Sequence, residues 1–275
     1  MITIEKERIE GIPLLHVAEH DVRWQKLPLI IFIHGFTSVK ERNLHYAYLL
    51  ADAGFRVVLP EALYHGERAK GLKPDDFYKH FWEIVLTSIE EIKSVKEYYD
   101  QKELTMDGEV GVAGTSMGGI AALGALTQYP WIKAAVSLMG MPAYEKFSYW
   151  QLEQLKKQGI HLPFTDEEIN EQIAAIRQYD LSLQPQMLAN RPLLFWHGKK
   201  DPMVPYELTR GFFESIRGMY SKNEEKLAFI SDEHAGHNVS IAGVEAAVDW
   251  FKKYLNNRSL QKTRKTNKVG VNIHE

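Results

Sequence analysis

The chain has 275 residues, of which 45% are hydrophobic, 11% aromatic and 25% charged, the balance of a globular protein and not of a disordered, collagenous or disulfide-stapled one. Thirty-three basic residues against 36 acidic ones leave a net charge of −3, too small to point to nucleic acid or a membrane surface as a general partner. Cysteine is absent, which removes disulfides, thiolate nucleophiles and thiolate-held zinc or iron–sulfur sites, so covalent chemistry needs another nucleophile.

The first ten residues alternate apolar and charged side chains, and no run approaches the roughly 20 apolar residues that span a bilayer or the apolar core of a secretory signal. The expectation is a soluble cytoplasmic chain. Residues 2–9 and 12–17 flank a turn at Gly11 and read as an antiparallel starting hairpin. Short β-rich apolar runs follow at 29–33, 55–59, 109–113, 133–138, 192–196 and 226–230. Between them, 40–53, 76–99, 118–128, 206–220 and 240–256 carry the helical period and the lengths that parallel crossovers need. This alternation predicts an α/β fold with an eight-stranded, mostly parallel sheet, antiparallel at its start and flanked by helices.

One interval breaks the rhythm. Between 138 and 192 lie more than fifty residues rich in aromatics, including Tyr144, Phe147, Tyr149, Trp150, Phe164 and Tyr179, with a helix expected over 166–179 capped by Thr165 and Glu168. We read about 142–190 as a helical cap inserted into a single domain spanning 1–257. The last eighteen residues hold Arg258, Lys262, Arg264, Lys265 and Lys268 against Glu275 alone and read as a basic, solvated tail. No repeat of about 20–50 residues suggests a propeller or solenoid.

The strongest chemical signal is Gly114-Thr115-Ser116-Met117-Gly118, set between the 109–113 strand and a small-residue helix. A serine at such a strand-to-helix turn is thrust upward in a strained conformation, and the residues two positions either side must be small. Read blandly, the same stretch is a glycine-rich helix start. It lacks the Lys-Ser/Thr of a P-loop and the spacing of a dinucleotide fingerprint, so nucleotide binding is not expected. Asp232, Glu233, His234 and His237 are crowded on one loop without HExxH spacing, and no metal is expected there.

With His34-Gly35-Phe36, Trp196-His197-Gly198-Lys199-Lys200-Asp201 and Gly236-His237 added in order, the chain resembles the α/β-hydrolase superfamily over about residues 12–256. More narrowly it is similar to small bacterial esterases of the dienelactone-hydrolase and prolyl-oligopeptidase-like branch. The resemblance implies Ser116 as nucleophile, His237 as base and Asp201 as the acid that fixes the imidazole tautomer. It also implies backbone N–H donors for the oxyanion at Met117 and Phe36. His234 is the competing base, and Asp232 and Glu233 the competing acids. His34 and His65 precede the serine, the wrong order for a base, and read as rim or packing residues. The family's cap position makes Phe36, Met117, Tyr144, Phe147 and Trp150 candidates for the substrate pocket, with His34 a further candidate contact.

The expected function is a cofactor-independent serine hydrolase that cleaves small, short-acyl carboxylic esters through an acyl-enzyme. A serine peptidase or aminopeptidase of the prolyl-oligopeptidase-like type is the nearest alternative, and a non-catalytic ligand-binding member of the fold the next. The oligomeric state is left open.

Overall fold

The computed structural model describes residues 1–157, 159 and 164–255, so the basic tail at 258–275 lies outside the described residues. The starting hairpin is β1 (Ile2–Ile9) and β2 (Ile12–Glu19), paired antiparallel with Ile9 opposite Ile12. Gly11 takes φ +87° in the turn, a conformation that costs glycine nothing. The sheet continues with β3 (Leu27–Ile33), β4 (Arg56–Pro60), β5 (Thr105–Thr115), β6 (Ala134–Leu138), β7 (Leu193–Gly198) and β8 (Leu227–Asp232). Its order is β1-β2-β4-β3-β5-β6-β7-β8, with every pair from β4 onward parallel.

The helices are α1 (Leu44–Asp52), α2 (Pro74–Lys79), α3 (Phe81–Gln101), α4 (Met117–Gln128), α5 (Tyr144–Lys157), α6 (Asp166–Ile176), α7 (Tyr206–Ile216) and α8 (Ile241–Tyr254). Alternation along the strands divides the core into two layers. Ile31, Ile33, Val112 and Phe195 pack on one face with Ile84, Ile89, Ile120 and Phe212 from α3, α4 and α7. Ile30, Phe32, Ala113 and Trp196 pack on the other with Tyr46, Leu50, Val244 and Phe251 from α1 and α8. Strands buried on both faces explain the uninterrupted apolar runs.

Several elements differ from the expected bounds. β5 starts four residues early, because Asp107-Gly108, with φ +71° at the glycine, bends the strand without ending it. The 76–99 helix breaks at His80 into α2 and α3, and the helix at 40–53 begins as a 3₁₀ turn over Lys40–Asn43. The segment between β6 and β7 carries α5 as well as α6. Helix α6 has the Thr165–Glu168 capping box and passes into a 3₁₀ turn after Ile176.

Candidate active site

Strand β5 ends and α4 begins with no connecting loop, and Ser116 at the junction takes φ +53°, ψ −116°. A non-glycine residue held there stores on the order of 1–3 kcal/mol and needs its surroundings to enforce it. They do so on both sides: the Ser116 N–H donates to Leu138 O at 2.8 Å, and its carbonyl accepts from Ile120 N at 2.9 Å. A Cβ on Gly118 would lie 2.0 Å from Ile33 O, and one on Gly114 would lie 2.3 Å from the Gly118 carbonyl carbon. The flanking glycines are therefore fixed by the close crossing of helix and strand, which answers the bland reading of this turn.

The hydroxyl of Ser116 lies 2.8 Å from His237 Nε2, and His237 Nδ1 lies 2.8 Å from Asp201 Oδ2. The Asp201 side chain is fully buried. Its Oδ1 accepts the N–H groups of Met203 and Val204 at 2.8 and 2.9 Å. Burial opposes ionisation, but hydrogen bonds from His197, His237 and Val204 outweigh it and hold the carboxyl well below the usual carboxylate range. The histidine loop is bound to the Asp201 loop, since Lys199 N and Lys200 N donate to Asp232 O and Ala235 O. A Cβ on Gly198 would strike both Ala235 O and Gly236 O at 2.5 Å.

The competing residues lie elsewhere in this loop. Asp232 Oδ1 accepts the His234 and Ala235 N–H groups at 3.0 Å, and Glu233 pairs with Lys199 at 2.7 Å. The one His/Asp/Glu grouping of metal-ligand spacing among the described residues is Glu5, Glu7 and His16 on the starting hairpin. There His16 Nδ1 is 3.0 Å from Glu7 and Nε2 accepts from Arg56 Nε at 3.0 Å, so both ring nitrogens are already engaged.

The loop after β3 crosses the elbow so closely that a Cβ on Gly35 would sit 3.5 Å from Ser116 Cβ. Among the described residues, neither the Phe36 nor the Met117 N–H donates to a protein acceptor. Thr37 N donates to His65 Nε2 at 3.1 Å, and His34 Nδ1–H donates to Gly35 O at 2.8 Å. Beneath this loop lies a buried ion pair: Lys40 Nζ and Lys40 N reach the Glu61 carboxylate at 2.8 and 3.2 Å. His34 Nε2 is 3.0 Å from Ala62 N and 3.1 Å from Glu61. It cannot accept from one and donate to the other together; the backbone N–H is always a donor, so Lys40 is the hydrogen-bonding partner of Glu61. Burial raises the Glu61 carboxyl, but the Lys40 ammonium beside it outweighs burial and holds it well below the usual carboxylate range. Burial pushes His65 down to about 4, keeping Nε2 free to accept.

Several candidates for substrate contact are corrected. Tyr144 is fully buried and its hydroxyl donates to Ile120 O at 2.6 Å, while Phe147 is 2% exposed; both belong to the core, leaving no face for a substrate. His34, 1% exposed, is a packing residue. Met117 is buried as well. Phe36 and Trp150 are partly buried, and Trp150 lines a cavity of about 220 Å³ beside Phe81, Trp82 and the α5–α6 pair. A second hollow of about 310 Å³ lies along Phe36, Thr37 and Tyr64.

Sequence reasoning passed over His197, whose Nε2 is 3.0 Å from Val204 O and 3.3 Å from Asp201 Oδ2. Both neighbours are acceptors, so Nε2 carries the proton, and Nδ1 is left buried without a partner among the described residues. It also passed over Lys40 and Glu61, which are charged residues in a loop until the fold encloses them. Their positions after the first and second parallel strands of the sheet were the available signal.

The sequence matches the prolyl oligopeptidase family over residues 42–258. The chain belongs to this family. YitV of Bacillus subtilis (strain 168), which carries a provisional esterase name, is 50% identical over 255 residues, 93% of this chain and all of that protein. The esterase YjfP of Escherichia coli (strain K12) is 30% identical over 262 residues, again 93% of this chain and all of that protein. Among solved structures, TT1662 from Thermus thermophilus aligns with a TM-score of 0.72 at 20% identity, covering 92% of this chain and 98% of that one. This prolyl oligopeptidase family member is a hydrolase with the α/β-hydrolase fold. None of its described helices is long and apolar enough to cross a membrane.

Proposed function

We propose that the protein hydrolyses small carboxylic esters through an acyl-enzyme on Ser116, within one catalytic domain that α5 and α6 cap. The observation that carries this reading is the continuous relay from Ser116 Oγ through His237 to buried Asp201, two contacts of 2.8 Å each, on a strained elbow. His237 Nε2 takes the hydroxyl proton as Oγ attacks the acyl carbon, and Asp201 stabilises the imidazolium that results. The N–H groups of Met117 and Phe36 receive the developing oxyanion, where one such donor contributes about 2.7–4 kcal/mol. The imidazolium returns its proton to the departing alcohol; a water activated by His237 then releases the acid. The esterase names of YitV and YjfP support an ester over an amide.

The test is hydrolysis of p-nitrophenyl esters from acetate to laurate by the parent, Ser116→Ala and His237→Ala proteins. Turnover favouring the shorter acyl groups and lost in both variants is the expected result. Turnover that persists in Ser116→Ala refutes the assignment. Membership of the prolyl oligopeptidase family favours one second reading, a peptidase. Cleavage of prolyl or aminoacyl amides at rates matching the esters would establish it.

A further inference from the structure

The 220 Å³ cavity lies between the α2–α3 junction, the facing sides of α5 and α6, and the turn that follows Asp201. Its walls include Tyr78, Phe81, Trp82, Trp150, Ile173 and Met203. Its walls adjoin the Ser116 region in two places. On one side, Pro202 and Met203 directly follow Asp201, the carboxylate that holds His237. On the other, the Phe81 ring lies 5.4 Å from that of Phe36, next to Gly35 at the elbow.

The lining selects an uncharged, apolar group. The Ser148 hydroxyl at its edge already donates to Tyr144 O, and Lys79 already interacts within the chain. Among the described residues, no buried side-chain polar atom lacking a partner belongs to this wall. Gln151, Gln154 and Gln172 add only neutral amides to the wall, so a carboxylate or ammonium placed inside would lose water and find no opposite charge that is not already engaged. The size is also informative, since an apolar cavity of about 150 Å³ accepts benzene, so about 220 Å³ has room for one aromatic ring and a short carbon link. Phe81, Trp82 and Trp150 offer the ring faces and edges that favour offset or edge-to-face contact with such a guest.

We infer that this cavity is a specificity pocket for a single-ring arylalkyl group of the ester substrate. The inference rests on the ester-hydrolase reading of Ser116. The arylalkyl group could enter on either side of the scissile bond, so methyl 3-phenylpropionate and 3-phenylpropyl acetate are compared, each against propyl acetate. The parent should favour one of the two aryl esters by about tenfold or more in kcat/KM, as expected when several methylene equivalents are buried. Which of them is favoured identifies the acyl or the alcohol side.

Ile173→Trp, which fills the cavity from α6, should reduce that preference by about tenfold. Trp150→Ala removes a wall from a partly exposed position on α5 and should also lower it, which keeps the test open if the filled variant does not fold. A binding measurement separates this inference from the hydrolase reading: 3-phenylpropan-1-ol, which has no ester bond, is titrated calorimetrically into Ser116→Ala with and without Ile173→Trp. Saturable binding lost on adding Ile173→Trp supports the pocket even if no ester is turned over. The inference is overturned if the parent hydrolyses all three esters equally well. It is also overturned if the preference survives both variants, or if the alcohol does not bind Ser116→Ala.

Discussion

Replacing Glu61 by glutamine removes the carboxylate that Lys40 reaches with both Nζ and its backbone N–H. The Lys40 side chain, 1% exposed, is then left with Glu41 and Glu67, whose side chains are 43% and 41% exposed. Removing one partner of a buried pair costs about 3–5 kcal/mol, and these two remaining carboxylates place the expected loss near the lower end. Because the Glu61 carboxyl is depressed in the folded state, this stability is present in full above about pH 4.5 and disappears as pH falls through about 2. Lys40→Met, which leaves Glu61 without its ammonium, should cost a similar amount, whereas the double variant should cost clearly less than the two singles together. Urea denaturation at pH 7 measures all four corners of this cycle, provided that the m-value is unchanged. On the proposed mechanism, kcat should also fall when Glu61 is replaced, bounded by the roughly 10²–10³-fold cost of losing an oxyanion donor, because the 34–40 loop carries the Phe36 N–H assigned that role. Single variants that each cost under about 1 kcal/mol, or costs that simply add, would show that the pair does not support this loop.

Asp201→Asn should lower kcat by about 10⁴-fold, the size seen for the same exchange in another Ser-His-Asp site, by favouring the wrong His237 tautomer; steady-state kinetics on p-nitrophenyl acetate reads it. Stability should also fall by about 3 kcal/mol between pH 6.5 and pH 4, because unfolded His65 binds a proton that the folded residue, held near 4, refuses. His65→Gln, which keeps an acceptor for Thr37 N–H, should flatten that slope in denaturation midpoints measured against pH. Gly118→Ala forces a Cβ to 2.0 Å from Ile33 O, so unfolding free energy should drop by about 3 kcal/mol or more, and a variant as stable as the parent would contradict the packing described for the elbow. Tyr144→Phe loses the hydrogen bond to Ile120 O and should cost about 0.5–1.5 kcal/mol without changing the ester profile, as a core residue does and a pocket residue does not.

What could be read before folding follows from how local each cause is. Ser116 and its flanking glycines are legible because the steric demand of a strand-to-helix turn falls on five consecutive residues, and the strands because burial on both faces leaves continuous apolar runs. Asp201 and His237 were reachable because each sits just after a strand, so their order along the chain stands in for their position on the sheet edge. The cap aromatics carry no such mark. Tyr144, Phe147 and Trp150 share one helix and similar chemistry, yet Tyr144 and Phe147 turn into the core against α4 and Trp82 while Trp150 faces the cavity. The same holds for Lys40, Glu61 and His65, three polar residues in loops whose role arises when two strand ends bring the loops together. The residues of the proposed relay are thus encoded in short segments, whereas the groups that hold the 34–40 loop and line the cavity are encoded in contacts between segments; on the proposed function, substrate preference would be a property of the assembled cap and not of the motif.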